Sequence, residues 1–204
     1  MASSYPPVEI LKFSVSDLYK EDPAILNDFL DGVAKTPGVA DVWHGPEIQD
    51  DSYYYVVTAW APGAHTDSAY TGLKNALTPA CKEFVFAYPT HFGSVNVAAA
   101  LGAPVTEIAV VNVKEDVTLT RFHEATNDLI AKMALNLPNE VVPGGHGSVE
   151  NEPRKFVICM GWQSVERFYG EIHATPVVLE AVTTLRGLLN FDLRHAKMTK
   201  YTTN

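Results

Sequence analysis

The sequence predicts an α+β chain built from two copies of one β-α-β-β-α-β unit, and three observations predict it. His44 in Trp43-His44-Gly45 stands 16 residues before Trp60, and His146 in Gly145-His146-Gly147 stands 16 residues before Trp162. The run Tyr54-Tyr55-Val56-Val57-Thr58-Ala59-Trp60 aligns without gaps on Phe156-Val157-Ile158-Cys159-Met160-Gly161-Trp162. Val8-Glu9-Ile10-Leu11 aligns on Thr106-Glu107-Ile108-Ala109, and His91 finds a counterpart in His195. Self-similarity at a fixed spacing makes the half, not the whole, the unit to explain.

Each element follows from local chemistry. Val8 to Val15 is strand-like. Asp22 then offers an N-cap and Pro23 a first-turn proline for a helix that carries Ile25, Leu26, Phe29, Leu30 and Val33 on one face. Thr36-Pro37-Gly38 ends it. Strands Val39 to Ile48 and Tyr53 to Ala61 form a hairpin through Asp50-Asp51-Ser52, whose short polar side chains favour a turn. A helix from Thr66 to Leu77 and a strand from Phe84 to Phe92 complete a unit of the ferredoxin-like type.

The second copy repeats the order after an Ala- and Gly-rich connector. Val105 to Val113 reads as a strand and Leu119 to Leu135 as an amphipathic helix with Leu119, Phe122, Leu129, Ile130 and Met133 inward. Strands Val142 to Glu150 and Lys155 to Gln163 flank a turn at Asn151-Glu152-Pro153. Val165 to Leu188 is helical with a break at Ala174-Thr175-Pro176, because the residue before a proline avoids helical torsions. Asn190 to Tyr201 is the last strand. The expected domains are residues 1–93, a connector at 94–104, and residues 105–204. One such unit covers only one face of its sheet with helices, so the two sheets are expected to cover each other; apolar residues on both faces of Tyr54 to Trp60 agree with this.

Composition narrows the function. A chain of 204 residues, 47% of them hydrophobic, can bury a core without disulfides or metals. The formal net charge of −9 supplies no basic stripe, so nucleic acid and anionic membrane surfaces are not expected partners. Residues 1–7 lack the basic start and apolar stretch of a signal peptide, no apolar run reaches membrane-span length, and the cytoplasm is the expected location. Cys81 and Cys159 are expected to be reduced thiols.

The repeat also marks the candidate site. In symmetric hairpins centred near residues 52 and 154, His44 would face Trp60 and His146 would face Trp162, close enough to touch. Tyr54, Val56 and Thr58 in one copy, and Phe156, Ile158 and Met160 in the other, would line the same face. This describes an apolar wall with one titratable group, suited to a flat hydrophobic ligand and a proton-moving imidazole. A repeated packing motif would leave the same trace. His91 and His195, on the last strands, could meet histidines of the opposite copy across the seam. No His-x-His or His-x-x-x-His pair occurs, and no metal is expected. Pro143-Gly144-Gly145-His146-Gly147 precedes a strand rather than opening a helix, so it reads as a tight strand entry, not a phosphate loop.

Gly161-Trp162-Gln163-Ser164-Val165-Glu166, followed by His173-Ala174-Thr175-Pro176, resembles the antibiotic biosynthesis monooxygenase family of the dimeric α/β barrel superfamily. The resemblance implies that the antiparallel sheets of the two copies pack into an α/β barrel. It also implies a cofactor-free monooxygenase, cyclase or dehydratase acting on a small hydrophobic, aromatic metabolite. Carried over, Trp162 would position the ring and His146 or His173 would be the base; the repeat adds His44 as the corresponding base of the first copy, and Trp60, Tyr54, Phe156, Ile158 and Met160 to the substrate wall. The same superfamily offers two alternatives: a non-catalytic binding or stress-associated protein, and a haem-binding or haem-degrading protein with His173 on the iron. The first copy lacks a histidine where His173 stands, so the second is the expected working half. No cofactor is expected, and a homodimer is an open expectation, because edge strands can pair two chains.

Overall fold

The computed structural model describes residues 7–62, 64 and 73–203. The first half runs β1 (Val8–Val15), α1 (Asp17–Glu21), a 3-10 turn (Pro23–Leu26), α2 (Asn27–Ala34), β2 (Val39–Pro46), β3 (Tyr53–Trp60), α3 (Lys74–Leu77) and β4 (Cys81–His91). The short helix α4 (Ala98–Leu101) follows. The second half runs β5 (Val105–Val113), α5 (Leu119–Asn136), β6 (Val141–Val149), β7 (Lys155–Trp162), α6 (Val165–Ala174), α7 (Pro176–Leu188), β8 (Leu189–Ala196) and β9 (Thr199–Lys200). The expected helix from Thr66 to Leu77 falls within the described residues only at α3.

Side-chain caps set the helix starts. Asp22 accepts from the Ala24 amide and Pro23 follows it, but the turn they open is 3-10 before it relaxes into α2. An additional turn, α1, is capped by Ser16. Thr118 caps α5 by accepting from the Arg121 amide, and Ser164 caps α6 by accepting from the Arg167 amide. The break before Pro176 divides the long helical stretch into α6 and α7, with Thr175 in the extended region.

Among the described residues, nine strands form one antiparallel sheet in the order β8-β5-β7-β6-β4-β1-β3-β2-β9. Within it, β4-β1-β3-β2 and β8-β5-β7-β6 are the same ferredoxin-like order, once per half. The halves join at two seams. At one, Thr90 and His91 of β4 pair with Val149 and Ser148 of β6. At the other, Trp43 and His44 of β2 pair with Lys200 and Thr199 of β9, and Glu47 bridges to Ala196. Since β8 and β9 are consecutive stretches of the C-terminal segment, the sheet closes on itself as a barrel inside one chain, with no partner required for closure.

The pleat sorts side chains into an interior and an exterior. Val8, Ile10, Tyr55, Val57, Ile108, Val157 and Cys159 fill the barrel, and Val97, Ala100 and Leu101 from the connector pack against them. Outside, Leu11, Phe13, Tyr54 and Val56 meet α2, while Ala109, Val111, Phe156, Ile158 and Met160 meet α5, α6 and α7. The interior also holds an ion pair: Lys12 Nζ lies 2.6 Å from Glu47 Oε2, both side chains buried, and the Tyr55 hydroxyl donates to the same oxygen at 3.2 Å. Two glycines of the Pro143–Gly147 run serve close approach: a Cβ on Gly144 would strike the Cys159 carbonyl, and one on Gly145 would crowd Val95. Cys159 is buried and its thiol pushed up to about 12, while Cys81 is half-buried; both are free. No helix among the described residues is long and apolar enough to cross a membrane.

The histidine–tryptophan geometry differs from the symmetric expectation. His44 pairs with Val56 and Trp60 with Val39, while His146 pairs with Ile158 and Trp162 with Val141. Register shifts between Val39 and Asp41, and between Val142 and Gly145, slide the strands. Each histidine therefore shares its tryptophan's face of the sheet but stands opposite a residue four positions away. The last strands also align differently: Glu9 pairs with Pro89 where Glu107 pairs with His195, so the structural counterpart of His195 is Pro89, not His91.

Candidate functional site

Between the outer face of the second sheet and its helices lies a cavity of about 60 Å3, walled by Ala109, Ile158 and Met160 from the sheet, Leu129 and Met133 from α5, and Ile172 and Leu185 from α6 and α7. Its surface is almost wholly apolar. Two ionisable groups line it, Glu107 and Arg186. Glu107 is nearly buried, and its Oε2 accepts from Trp162 Nε1 at 2.9 Å. Desolvation dominates its environment and raises its pKa to about 7, with the Trp162 hydrogen bond and the Arg186 charge opposing. A carboxyl poised near neutrality against an apolar cavity can take or return a proton at an ordinary operating pH.

The surrounding groups hold this carboxyl in place. Trp162 is fully buried, and the Phe168 ring meets it edge-on with centroids 5.0 Å apart. Phe168 also meets His195 edge-on, at 4.6 Å. His195 is fully buried beside Glu107 in the β5–β8 register, and burial lowers its pKa to about 4. Gln49, from the first half, fixes its orientation: the Gln49 amide nitrogen is 2.6 Å from His195 Nδ1, and the His195 amide donates to Gln49 Oε1 at 2.9 Å. With Nδ1 accepting, the neutral ring carries its proton on Nε2. His195 thus meets a glutamine across the seam, not a histidine.

The expected site residues divide. Met160 and Ile158 line the cavity and Trp162 supports it through Glu107. Phe156 and His146 face a separate, open cleft at the β4–β6 seam, where His91 also stands. There His146 Nε2 lies 2.8 Å from Nδ1 of His123 on α5, and burial followed by the neighbouring imidazole lowers the His146 pKa to about 4. His173 is exposed in the last turn of α6, while Ile172, one residue earlier, takes the inward face. It does not line the cavity, which removes the geometric basis for using it as the cavity's base. Physically, the motif that carries the family resemblance punctuates α6: Ser164 caps it, Glu166 sits in its positive first turn, and His173 sits in its negative last turn.

In the first half, among the described residues, Leu11, Phe13, Tyr54 and Val56 of the sheet share an apolar cluster with Phe29, Leu30 and Val33 of α2. Tyr54 occupies the place of Phe156, and its hydroxyl hydrogen-bonds His44 Nδ1 at 2.8 Å. Burial lowers the His44 pKa. Glu9 lies opposite Thr58 as Glu107 lies opposite Met160, and burial likewise raises its pKa to about 7. The duplicated unit is therefore an acid opposite the residue two positions before its tryptophan, together with a histidine opposite the residue four positions before it. Glu107 has a sequence signal, an acid at the same place in two aligned strands; His123 and Gln49 have none, because their roles come from contacts 23 and 146 residues away. Among the described residues, no group of three or more histidines, cysteines or acids could hold a metal ion.

Solved structures similar over the whole chain agree with this architecture. A candidate monooxygenase from Lactobacillus acidophilus superposes with a TM-score of 0.67 at 14% identity, covering 97% of this chain and 96% of that one. Another, from Fusobacterium nucleatum, gives a TM-score of 0.67 at 10% identity over 98% and 99%. An anthrone oxidase-like protein gives 0.62 at 11% identity over 98% and 95%. No protein-family profile matches the sequence, and no curated protein matches it. The chain has the fold of these structures: tandem ferredoxin-like units closed into one α/β barrel, as the resemblance in the sequence implied.

Proposed function

We propose that this chain is a cofactor-independent oxygenase of small hydroxylated arenes or anthrones, with one working cavity, in the second half, and Glu107 as its base. The observation that carries the reading is a single buried carboxyl, raised to about 7, on the wall of an apolar cavity. Similarity in fold to candidate monooxygenases and to an anthrone oxidase-like protein supports the substrate class. The base is a carboxylate in place of the histidine expected from sequence, because His146 and His173 both lie away from the cavity.

In this reading Glu107 removes a proton from an activated C–H or phenolic O–H, leaving an electron-rich anion. Molecular oxygen is both oxidant and oxygen source. For a CH2 flanked by two aryl groups, one oxygen atom enters the new carbonyl and the other leaves as water, and all four electrons come from the substrate. Trp162 keeps the carboxylate oriented, and its N–H steadies the charged form. The cavity of about 60 Å3 is below the roughly 150 Å3 that holds a benzene ring, so a substrate enters by displacing side chains, with the unbranched Met133 and Met160 the readiest to yield.

Oxygen uptake with 1,8-dihydroxyanthrone as probe tests this. The expected result is uptake well above the uncatalysed rate, falling about a hundredfold in Glu107→Gln and unchanged in His173→Gln. No acceleration by the intact chain, or full activity in Glu107→Gln, would overturn the proposal.

A further inference from the structure

Two of the residues that wall the apolar cavity are exposed, Arg186 in the last turn of α7 and Phe191 near the start of β8. The solvent side of the cavity lies at this pair. The Arg186 guanidinium sits over the Phe191 ring, 5.4 Å from its centroid, so the two side chains hold each other at the mouth. A cation in the last turn suits the helix dipole, but the dipole does not require it to wall a cavity. Arg154, Arg167 and Arg194 each have an acid within ion-pair reach, and the neighbouring Lys114 Nζ donates to the Gly187 carbonyl at 2.8 Å. The Arg186 guanidinium has no hydrogen-bond or ion-pair partner among the described residues.

Strand register gives the distance from this mouth to Glu107. Phe191 pairs with Val111, and Glu107 and Val111 are four residues apart on β5, about 13 Å along the strand. Ala109 lies between them on the same face and lines the cavity. Side chains reach inward from both ends, so the apolar stretch left between carboxyl and guanidinium is that of a fused ring system. The Arg186 charge also favours the ionised form of Glu107. An anion seated on Arg186 offsets that charge and makes Glu107 a stronger base once the ligand is in place.

We propose that Arg186 selects the cavity's ligand, and that this ligand is a fused-ring arene carrying a carboxylate at the end of its ring system remote from the reacting carbon. The guanidinium presents paired N–H donors in one plane, which match the two oxygens of a carboxylate. A neutral arene offers them nothing. Because the chain's formal charge of −9 repels anions at long range, the preference is local to the mouth and weakens as salt screens it. The identity of the reacting carbon rests on the oxygenase reading, whereas the anion site rests on the geometry of the mouth.

Calorimetric titration of the full chain with 2-naphthoate and with neutral 2-naphthylmethanol compares the two ligand types without turnover. The carboxylate should bind about tenfold tighter or more. Arg186→Gln should bring it to the affinity of the neutral compound, and Arg186→Lys should keep part of the preference. Arg121→Gln, which removes an exposed arginine on α5, should keep all of it. Equal binding of the two compounds, no binding of either, or a preference that survives in Arg186→Gln would overturn the proposal. Oxygen uptake with 1,8-dihydroxyanthrone and its 3-carboxylate reads the same selection in turnover: the carboxylate should have the lower KM, rising about tenfold in Arg186→Gln, and equal KM values would overturn the anion site. A carboxylate preference in binding, with no oxygen uptake from either anthrone, would support the anion site and overturn the oxygenase reading.

Discussion

Replacing Glu107 by Gln should make the folded chain less sensitive to pH and more stable in mild alkali. The folded-state pKa is raised from 4.5 to about 7. Below about pH 4.5 the carboxyl is protonated in both folded and unfolded chains and contributes no pH dependence. Between the two values the unfolded chain has released its proton while the folded chain still holds it, so stability falls as pH rises. Above about 7 the loss is complete. A difference of about 2.5 pKa units corresponds to about 3 kcal/mol at about 1.4 kcal/mol per unit. Glutamine keeps an oxygen to accept from Trp162 Nε1 and carries no charge, so the variant should escape this loss. Urea unfolding followed by Trp fluorescence at intervals from about pH 5 to about pH 8 measures it. Glu107→Gln should gain on the unaltered chain as pH rises, the gap widening to about 3 kcal/mol, on a shared background in which Glu9 adds a similar loss and His44, His146 and His195, lowered by burial, add an opposing gain up to about pH 6.5. Parallel curves would refute the reasoning, since they would mean that Glu107 titrates alike in both states.

Two further outcomes follow from the seams and the barrel interior. Lys12→Met should cost about 3–5 kcal/mol in urea unfolding, because Glu47 would keep a buried charge without its 2.6 Å partner; Lys12→Met with Glu47→Gln should recover much of the loss. Gln49→Leu should cost about 1–3 kcal/mol by removing both bonds to His195, and imidazole nitrogen spectra should then show His195 losing its single tautomer.

Much of the architecture is legible in the sequence because its signals are local. Apolar alternation, the Asp22-Pro23 start, the Ser164 cap and the break at Pro176 each act within a few residues, and the repeat ties the two halves to one topology. The candidate site is less legible. The register shifts near Asp41 and Gly145 move each histidine four positions from its expected partner, and spacing alone does not reveal them. The cavity's carboxyl is visible only as an acid repeated at one place in two aligned strands, since its raised pKa depends on the helices that exclude water from it. Gln49 and His123 become meaningful only once distant segments meet.

The closure of both sheets within one chain has an evolutionary consequence. In an assembly of two identical subunits every substitution appears in both sheets, so a residue that fills one cavity fills the other. Here each half carries its own letters. Tyr54 can occupy the space beside His44 while Phe156 leaves the corresponding side open, and Gln49 can serve His195 although Pro89 stands at the matching position of the first half. Covalent linkage thus lets the two copies diverge residue by residue while they share one barrel.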